Sequence, residues 1–210
     1  LATKKKIVLI FDECTTGFRQ SFGGIHNTIG INPDIVILGK ALGNGFPITA
    51  VLGKKSIMEH AQTSFISSTF WTERSGFVAG IKTLETMEKI KSWEIISKKG
   101  LKIKKMIKKL ANKNKLEVNV SGLDACPSYI IKLNKWQEYK TFITQELLKQ
   151  KTLGANTTYV CINHDDNVIK NYETKLDKIF ETIKKFEKSG VDINEYLEGP
   201  TSHSSFKRLN

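Results

Sequence analysis

Residues 34–47 read DIVILGKALGNGFP and contain the clearest structural signal in the chain. The four apolar residues at 35–38 form an uninterrupted run, which is typical of a strand that helices bury on both faces, as in a parallel sheet. The run ends at Gly39, and Lys40 follows directly. Ligand sites in such sheets lie at the carboxyl ends of the strands. We therefore predict that Lys40 belongs to a ligand site and is not a solubilising charge.

A second apolar run has the same form. Residues 7–11 read IVLIF, and Asp12 comes directly after them. Two buried parallel strands would deliver the carboxylate of Asp12 and the amine of Lys40 to the same edge of the sheet. A lysine that forms a Schiff base, together with a carboxylate partner for a pyridinium nitrogen, is what a protein contributes to pyridoxal-phosphate chemistry.

Four segments in this order and spacing resemble the class III pyridoxal-phosphate aminotransferases, with the branch of glutamate-1-semialdehyde aminomutase as the nearest. They are FDECTTGFR at 11–19, PD at 33–34, GKALGNGFP at 39–47 and SSTF at 67–70. The resemblance covers roughly the first 90 residues closely and the remainder only in its general pattern. It implies an α/β fold, fold type I of the pyridoxal-phosphate transferases. Residues 1–92 would form the second half of the large, mostly parallel-sheet domain, and residues 93–210 a small C-terminal α+β domain with a polar tail.

The resemblance also assigns roles to individual residues. In this family the lysine at the position of Lys40 holds pyridoxal 5'-phosphate as a Schiff base and shuttles the substrate proton, and the aspartate at Asp12 pairs with the protonated ring nitrogen. Cys14 takes the place of a small apolar residue beneath the ring. Ser68 and Thr69 resemble the hydroxyl residues that bind the cofactor phosphate of the neighbouring subunit. No metal site is expected.

Each of these residues has a simpler interpretation. Lys40 can end a strand with its amine in water, Asp12 can cap the following turn, and Ser68 and Thr69 can belong to an ordinary polar loop. Because these residues occur together in the family's order and spacing, we favour the cofactor roles over the simpler interpretations. Glu13 matches the family pattern but is interpreted as structural.

Two departures from the family pattern bear on function. The Gly/Ser-rich turn that cradles the phosphate and the aromatic residue that stacks on the ring would both precede Leu1, so we expect the C-terminal fragment of a longer enzyme, inactive by itself. The aminomutase branch follows its threonine with a small residue and Gly-Asn-Pro, whereas Thr69 is followed by FWTE. Its acidic residue before the last strand is replaced near Asn156.

We therefore expect an aminotransferase that moves an amino group between an amine donor and a carbonyl acceptor. It would act on small amino and keto compounds as a homodimer with the site at the subunit interface. Glutamate-1-semialdehyde 2,1-aminomutase is the alternative within enzymes. A non-catalytic remnant or a basic binding module is the alternative from another class.

The amino-acid composition limits the kinds of binding partner and the cellular compartment that we expect for this chain. The net charge of the 210 residues is +12, but Lys and Arg total 33 and the arginines are Arg19, Arg74 and Arg208 alone. Nucleic-acid readers favour the fixed fork of arginine, so we expect no nucleic-acid partner. No apolar run is long enough to cross a membrane. Three cysteines without metal-type spacing favour free thiols in the reducing cytoplasm.

The periodicity of apolar residues predicts the remaining elements. Strands are expected at 7–11, 35–38, 48–53, 117–120, 128–133 and 157–163, and helices at 56–61, 74–93, 93–112, 141–149 and 167–189. The lysines of the helix at 93–112 are interpreted as a solvated face.

Overall fold

The computed structural model describes residues 1–67 and 69–203. The chain divides into two compact units, Leu1–Ile96 and Ser97–Asn210. The predicted domain boundary after residue 92 stays a prediction. No helix among the described residues is both long and apolar enough to cross a membrane.

The first unit contains a three-stranded sheet in the order β1-β2-β3. Its elements are α1 (Ala2–Lys5), β1 (Ile10–Asp12), α2 (Ile25–Thr28), β2 (Ile35–Leu38), a 3-10 turn (Lys40–Leu42), β3 (Ala50–Gly53), α3 (Lys55–Met58), a second 3-10 turn (Glu59–Thr63) and α4 (Arg74–Ile90). β1 and β2 are parallel, with Ile10 opposite Ile35 and Asp12 opposite Ile37. β3 is antiparallel to β2. The predicted parallel pair is therefore confirmed.

One face of this sheet is packed and the other is open. The packed face belongs to a core cluster of Phe18, Val36, Leu38 and Leu42, against which Phe11, Ala41, Ile48, Ala50, Leu84 and Met87 pack. On the opposite face, Ile10 is 52% exposed and Val51 is 51% exposed. The prediction that both apolar runs are buried on two faces is therefore wrong for the described residues. β1 is an edge strand of this sheet and begins only at Ile10, and Ile7 and Val8 before it are exposed as well.

The second unit is built from a hairpin and long helices. Its elements are α5 (Ser92–Lys113, which begins just before the division), β4 (Val118–Leu123), β5 (Cys126–Ile131), α6 (Trp136–Lys149), α7 (Asp166–Ser189) and a 3-10 turn (Ile193–Tyr196). β4 and β5 pair antiparallel. The most deeply buried aliphatic and aromatic side chains of this unit include Ile107, Ile131, Ile143, Leu147, Leu176, Phe180 and Ile183.

The strand predicted at 157–163 does not form; the structure has a single bridge there, between Thr157 and Ser128. The chain does run beside β5, because Thr158 N donates to Pro127 O (2.9 Å) and Val160 N donates to Ala125 O (3.2 Å). Pro127 has no N–H, so it cannot return the hydrogen bond that a regular ladder requires opposite Thr158. The prediction was wrong because it considered the segment without its partner.

The lysine-rich face of α5 is largely exposed, as predicted, and three of its eight lysines pair with acids of α7. Three ion pairs join residues 64 positions apart: Lys102 with Asp166, Lys109 with Glu173, and Lys113 with Asp177. A constant offset along two helices means that α5 and α7 run parallel in a fixed register. α7 begins at the predicted cap, where the Asp165 side chain accepts a hydrogen bond from Val168 N (2.8 Å).

Gly100 is the position where α5 approaches the β4–β5 turn most closely. A Cβ at Gly100 would lie 1.6 Å from the carbonyl oxygen of Asp124 and 3.4 Å from Val160 Cγ2. Because a backbone atom cannot move aside as a side chain can, we expect Gly100→Ala to lower the free energy of unfolding by about 1–3 kcal/mol. Urea unfolding measures this. Gly199→Ala is the control, since nothing lies within 4 Å of its added Cβ. Equal stability of the two variants would contradict the packing described for Gly100.

Candidate active site

The site lies at the edge where β1 and β2 both end. Asp12 is the last residue of β1, and Glu13 N extends the pairing by donating to Ile37 O at 2.9 Å. Cys14 lies two residues further on, in the turn that follows β1. The exposed Asp12 carboxylate accepts a hydrogen bond from Cys14 N at 3.0 Å. Asp12 thus makes the turn-capping contact of its simpler interpretation, and it also lies at the strand edge. Its role toward a cofactor stays a prediction.

Lys40 enters this edge through a close contact at Gly39. A Cβ at Gly39 would lie 2.9 Å from Cys14 Sγ and 3.3 Å from Thr49 Cγ2, so glycine lets the end of β2 approach Cys14. Lys40 itself has φ 45°, in the left-handed region. This conformation costs a non-glycine residue roughly 1–2 kcal/mol and is concentrated at functional sites.

The exposed amine of Lys40 turns back toward the segment that follows β1. Its Nζ donates a hydrogen bond to Thr15 Oγ1. The structure therefore brings Lys40 together with the segment that contains Asp12 and Cys14. Thr15 is a site residue that the sequence reasoning missed. The available signal was weak: a hydroxyl residue one position beyond Cys14.

Glu13 faces the opposite side of the chain from Asp12 and is 1% exposed. Its carboxylate accepts hydrogen bonds from Thr16 Oγ1, from His26 N at 2.9 Å and from His26 Nδ1 at 3.0 Å. Burial by itself raises the pKa of Glu13, but the hydrogen bonds from Thr16, from the backbone of His26 and Ile25 and from the His26 ring outweigh it, so the pKa of Glu13 is lowered. Glu13 anchors the connection between β1 and α2, in agreement with its predicted structural role.

Of the two predicted phosphate ligands, Ser68 and Thr69, the structure describes Thr69. Ser68 lies outside the described residues. Thr69 is exposed in a turn before α4, and among the described residues it forms no hydrogen bond with Asp12, Cys14 or Lys40. Their assignment to the site of a neighbouring subunit stays a prediction.

The groups at the strand edge match two ends of a pyridoxal ring. A carboxylate suits the ring nitrogen and an amine suits the aldehyde carbon. Asp12 ends β1, and Lys40 lies in the 3-10 turn just after the adjacent strand β2. Cys14, close against Gly39, offers a small apolar surface at this edge. No group of three or more His, Cys, Asp or Glu in the described part of the chain is arranged to hold a metal ion.

Glu13→Gln should weaken the anchor of this site. At pH 7 the neutral amide loses the charge-assisted hydrogen bonds from Thr16 and His26, so we expect the free energy of unfolding to fall by about 1–3 kcal/mol. Because the folded pKa of Glu13 is lowered, its contribution is present above the unfolded value near 4.5 and is lost as the pH falls through the folded value.

The difference between the two proteins should therefore shrink below pH 4.5 in urea titrations. Glu88→Gln, at an exposed position of α4, is the control. A difference that stays constant down to pH 3 would show that the Glu13 charge is not what anchors the connection.

The sequence is similar to those of known proteins. The family model of class III aminotransferases matches residues 1–184. The 3-aminobutyryl-CoA aminotransferase of Cloacimonas acidaminovorans (strain Evry) is 33% identical over 191 residues, covering 88% of this chain and 46% of that protein. The glutamate-1-semialdehyde 2,1-aminomutase of Saccharolobus islandicus (strain L.S.2.15 / Lassen #1) is 32% identical over 189 residues, covering 82% of this chain and 44% of that protein.

Solved structures agree at the level of the fold. The FumI protein of Sphingopyxis sp. MTA144, solved in its PLP internal aldimine form, superposes with a TM-score of 0.81 at 20% identity, over 90% of this chain and 46% of that one. An omega-transaminase from Sphaerobacter thermophilus superposes with a TM-score of 0.73 at 16% identity, over 86% and 45% of the two chains. The predicted fold of type I is therefore confirmed.

The chain thus spans about half the length of the curated relatives that it matches, 46% and 44% of the two described above. Within that span its own sequence carries the family pattern from its first residue to residue 184. The chain belongs to the class III aminotransferases, a family of pyridoxal-phosphate enzymes.

Proposed function

We propose that this chain supplies the lysine and the carboxylate of a pyridoxal-phosphate site that transfers amino groups. The observation that carries the proposal is the parallel pairing of β1 with β2, which places Asp12 and Lys40 at one edge. The hydrogen bond from Lys40 Nζ to Thr15 brings the amine to the residue three positions after Asp12. Membership of the class III family supports the same assignment.

Each group has a distinct task in this proposal. Bound pyridoxal phosphate supplies an electron-withdrawing ring that stabilises negative charge on the substrate carbon next to nitrogen. Lys40 holds the cofactor through its amine and, when free, moves a proton at the substrate carbon. Asp12 keeps a negative charge beside the ring nitrogen, which holds its proton there. Cys14, whose N–H donates to Asp12 and whose sulfur lies close to Gly39, limits the space beneath the ring.

The reaction class is transfer between an amine donor and a carbonyl acceptor, acting on small amino and keto compounds. We propose a homodimer in which Ser68 and Thr69 serve the phosphate of the neighbouring subunit. A cytoplasmic location fits the three free cysteines, Cys14, Cys126 and Cys161.

The 32% identity to an aminomutase keeps isomerisation of glutamate 1-semialdehyde as a second candidate. The sequence after Thr69, FWTE in place of a small residue and Gly-Asn-Pro, favours the aminotransferase. Product analysis separates the two, because an aminomutase releases an isomer of its substrate and requires no separate carbonyl acceptor.

Lys40→Ala should abolish the site-specific attachment of pyridoxal phosphate. The 210-residue chain is incubated with pyridoxal phosphate and reduced with borohydride, and its peptides are mapped by mass spectrometry. We expect the dominant label on Lys40 and its complete loss in the variant. Lys89→Ala, at an exposed position of α4, is the control and should leave the Lys40 label intact. Labelling of other lysines without Lys40 would overturn the proposed function.

Asp12→Asn should weaken retention of the cofactor while keeping Lys40 as the labelled residue. Losing one exposed carboxylate beside the ring nitrogen is expected to raise the pyridoxal-phosphate concentration for half-maximal trapping by about two- to fivefold. The measurement is the same trapping reaction over a concentration series, with Glu88→Gln as a charge-matched control. An unchanged midpoint would remove Asp12 from the cofactor site.

A further inference from the structure

We propose that Thr15 is a positioning residue: its hydroxyl holds the amine of Lys40 at the edge where β1 and β2 end. The contact that carries this is the hydrogen bond from Lys40 Nζ to Thr15 Oγ1. The positioning itself is a property of this chain, and its catalytic meaning rests on the proposed function.

A lysine at this place needs a specific acceptor. The Lys40 side chain is exposed and has four rotatable bonds, so without a partner its amine samples a wide volume of water. Among the described residues, the hydrogen bond to Thr15 is the contact that restricts the amine, and no carboxylate lies within ion-pair distance of it. The position of the amine therefore depends on one hydroxyl.

The Thr15 hydroxyl that accepts the hydrogen bond from Lys40 is neutral, so the Asp12 carboxylate is not used to hold the amine. An ion pair between Lys40 and Asp12 would occupy both of the groups that the proposed site needs free. Instead Asp12 accepts a hydrogen bond from Cys14 N at 3.0 Å, while Lys40 is held by Thr15. A neutral hydroxyl fixes the direction of the amine and releases it more readily than a carboxylate would.

Thr15 itself is held by the turn that follows β1. Arg19 Nε donates to the carbonyl oxygen of Thr15 at 2.7 Å. The next residue, Thr16, donates its hydroxyl to the buried Glu13 carboxylate, and Gly17 N donates to Glu13 O at 2.7 Å. Threonine is also stiff at χ1 because its Cβ is branched. The hydroxyl is therefore placed by a network anchored in Glu13, and the amine of Lys40 takes its position from that network.

The test compares two variants of Thr15 that differ in whether the side chain carries a hydroxyl. Thr15→Val keeps the shape of the side chain and removes the hydroxyl, whereas Thr15→Ser keeps the hydroxyl. Thr86→Val is the control, because its hydroxyl donates to Lys82 O within α4. Each 210-residue chain is treated with limiting acetic anhydride, and acetylation of Lys40 is measured relative to Lys89 by peptide mass spectrometry.

Loss of the hydrogen bond frees the amine, so we expect Thr15→Val to raise the relative acetylation of Lys40 by about two- to threefold. Thr15→Ser and Thr86→Val should match the parent chain. Trapping of pyridoxal phosphate at Lys40 should change in the opposite sense, falling about two- to fivefold in Thr15→Val and persisting in Thr15→Ser. This opposite change separates positioning from a general loosening, which would raise both signals or lower both.

The outcomes distinguish this inference from the proposed function. If Lys40 of the parent chain takes no pyridoxal phosphate but its acetylation depends on Thr15, the proposed function fails and the positioning stands. If the parent label is normal and neither signal responds to Thr15→Val, the positioning is overturned and the function stands. Should Thr15→Val unfold by circular dichroism, Thr15→Ala provides the same comparison with a smaller side chain.

Discussion

The parallel pairing of β1 with β2 is what brings the chemistry of this chain to one place. Asp12 lies opposite Ile37, and Lys40 follows three residues later. In an antiparallel pair the same two residues would lie at opposite ends of the strands. A register shift of one residue would turn the Asp12 side chain to the other face of the sheet. The direction and the register of one strand pair thus set which functional groups meet.

Strand alternation also explains why two neighbouring carboxylates have different tasks. Asp12 is exposed at the open face, and Glu13 is 1% exposed on the opposite side. The buried carboxylate is saturated with hydrogen bonds and its pKa is lowered, so it stays charged and anchors the connection to α2. The exposed carboxylate makes one local hydrogen bond and stays accessible. One acid builds the site, and the other is available for chemistry.

The sequence could predict the elements but not everything they touch. The runs at 7–11 and 35–38 predicted the parallel strands and the edge with Asp12 and Lys40, because apolar runs of only four or five residues favour strands over helices. The sequence could not predict how deeply these strands are buried, because an apolar run shows that a face is apolar and does not show whether a helix covers that face. The role of Thr15 was hidden for a similar reason: a sequence does not show where a lysine side chain points. The 64-residue register of the α5–α7 ion pairs likewise exists only once two helices lie side by side.

The two units differ in how much apolar surface they bury. The second unit buries many large side chains completely, including Ile107, Phe180 and Ile183 at 0% exposure. The first unit has a core cluster of four buried residues, and one face of its sheet is largely open. Apolar burial contributes roughly 25 cal/mol per Å², so the unit with less of it opens more easily. The site residues lie in that unit. Their geometry therefore relies more on directed hydrogen bonds than on packing: the Glu13 carboxylate and the Thr15 hydroxyl accept such bonds, and Arg19 donates one.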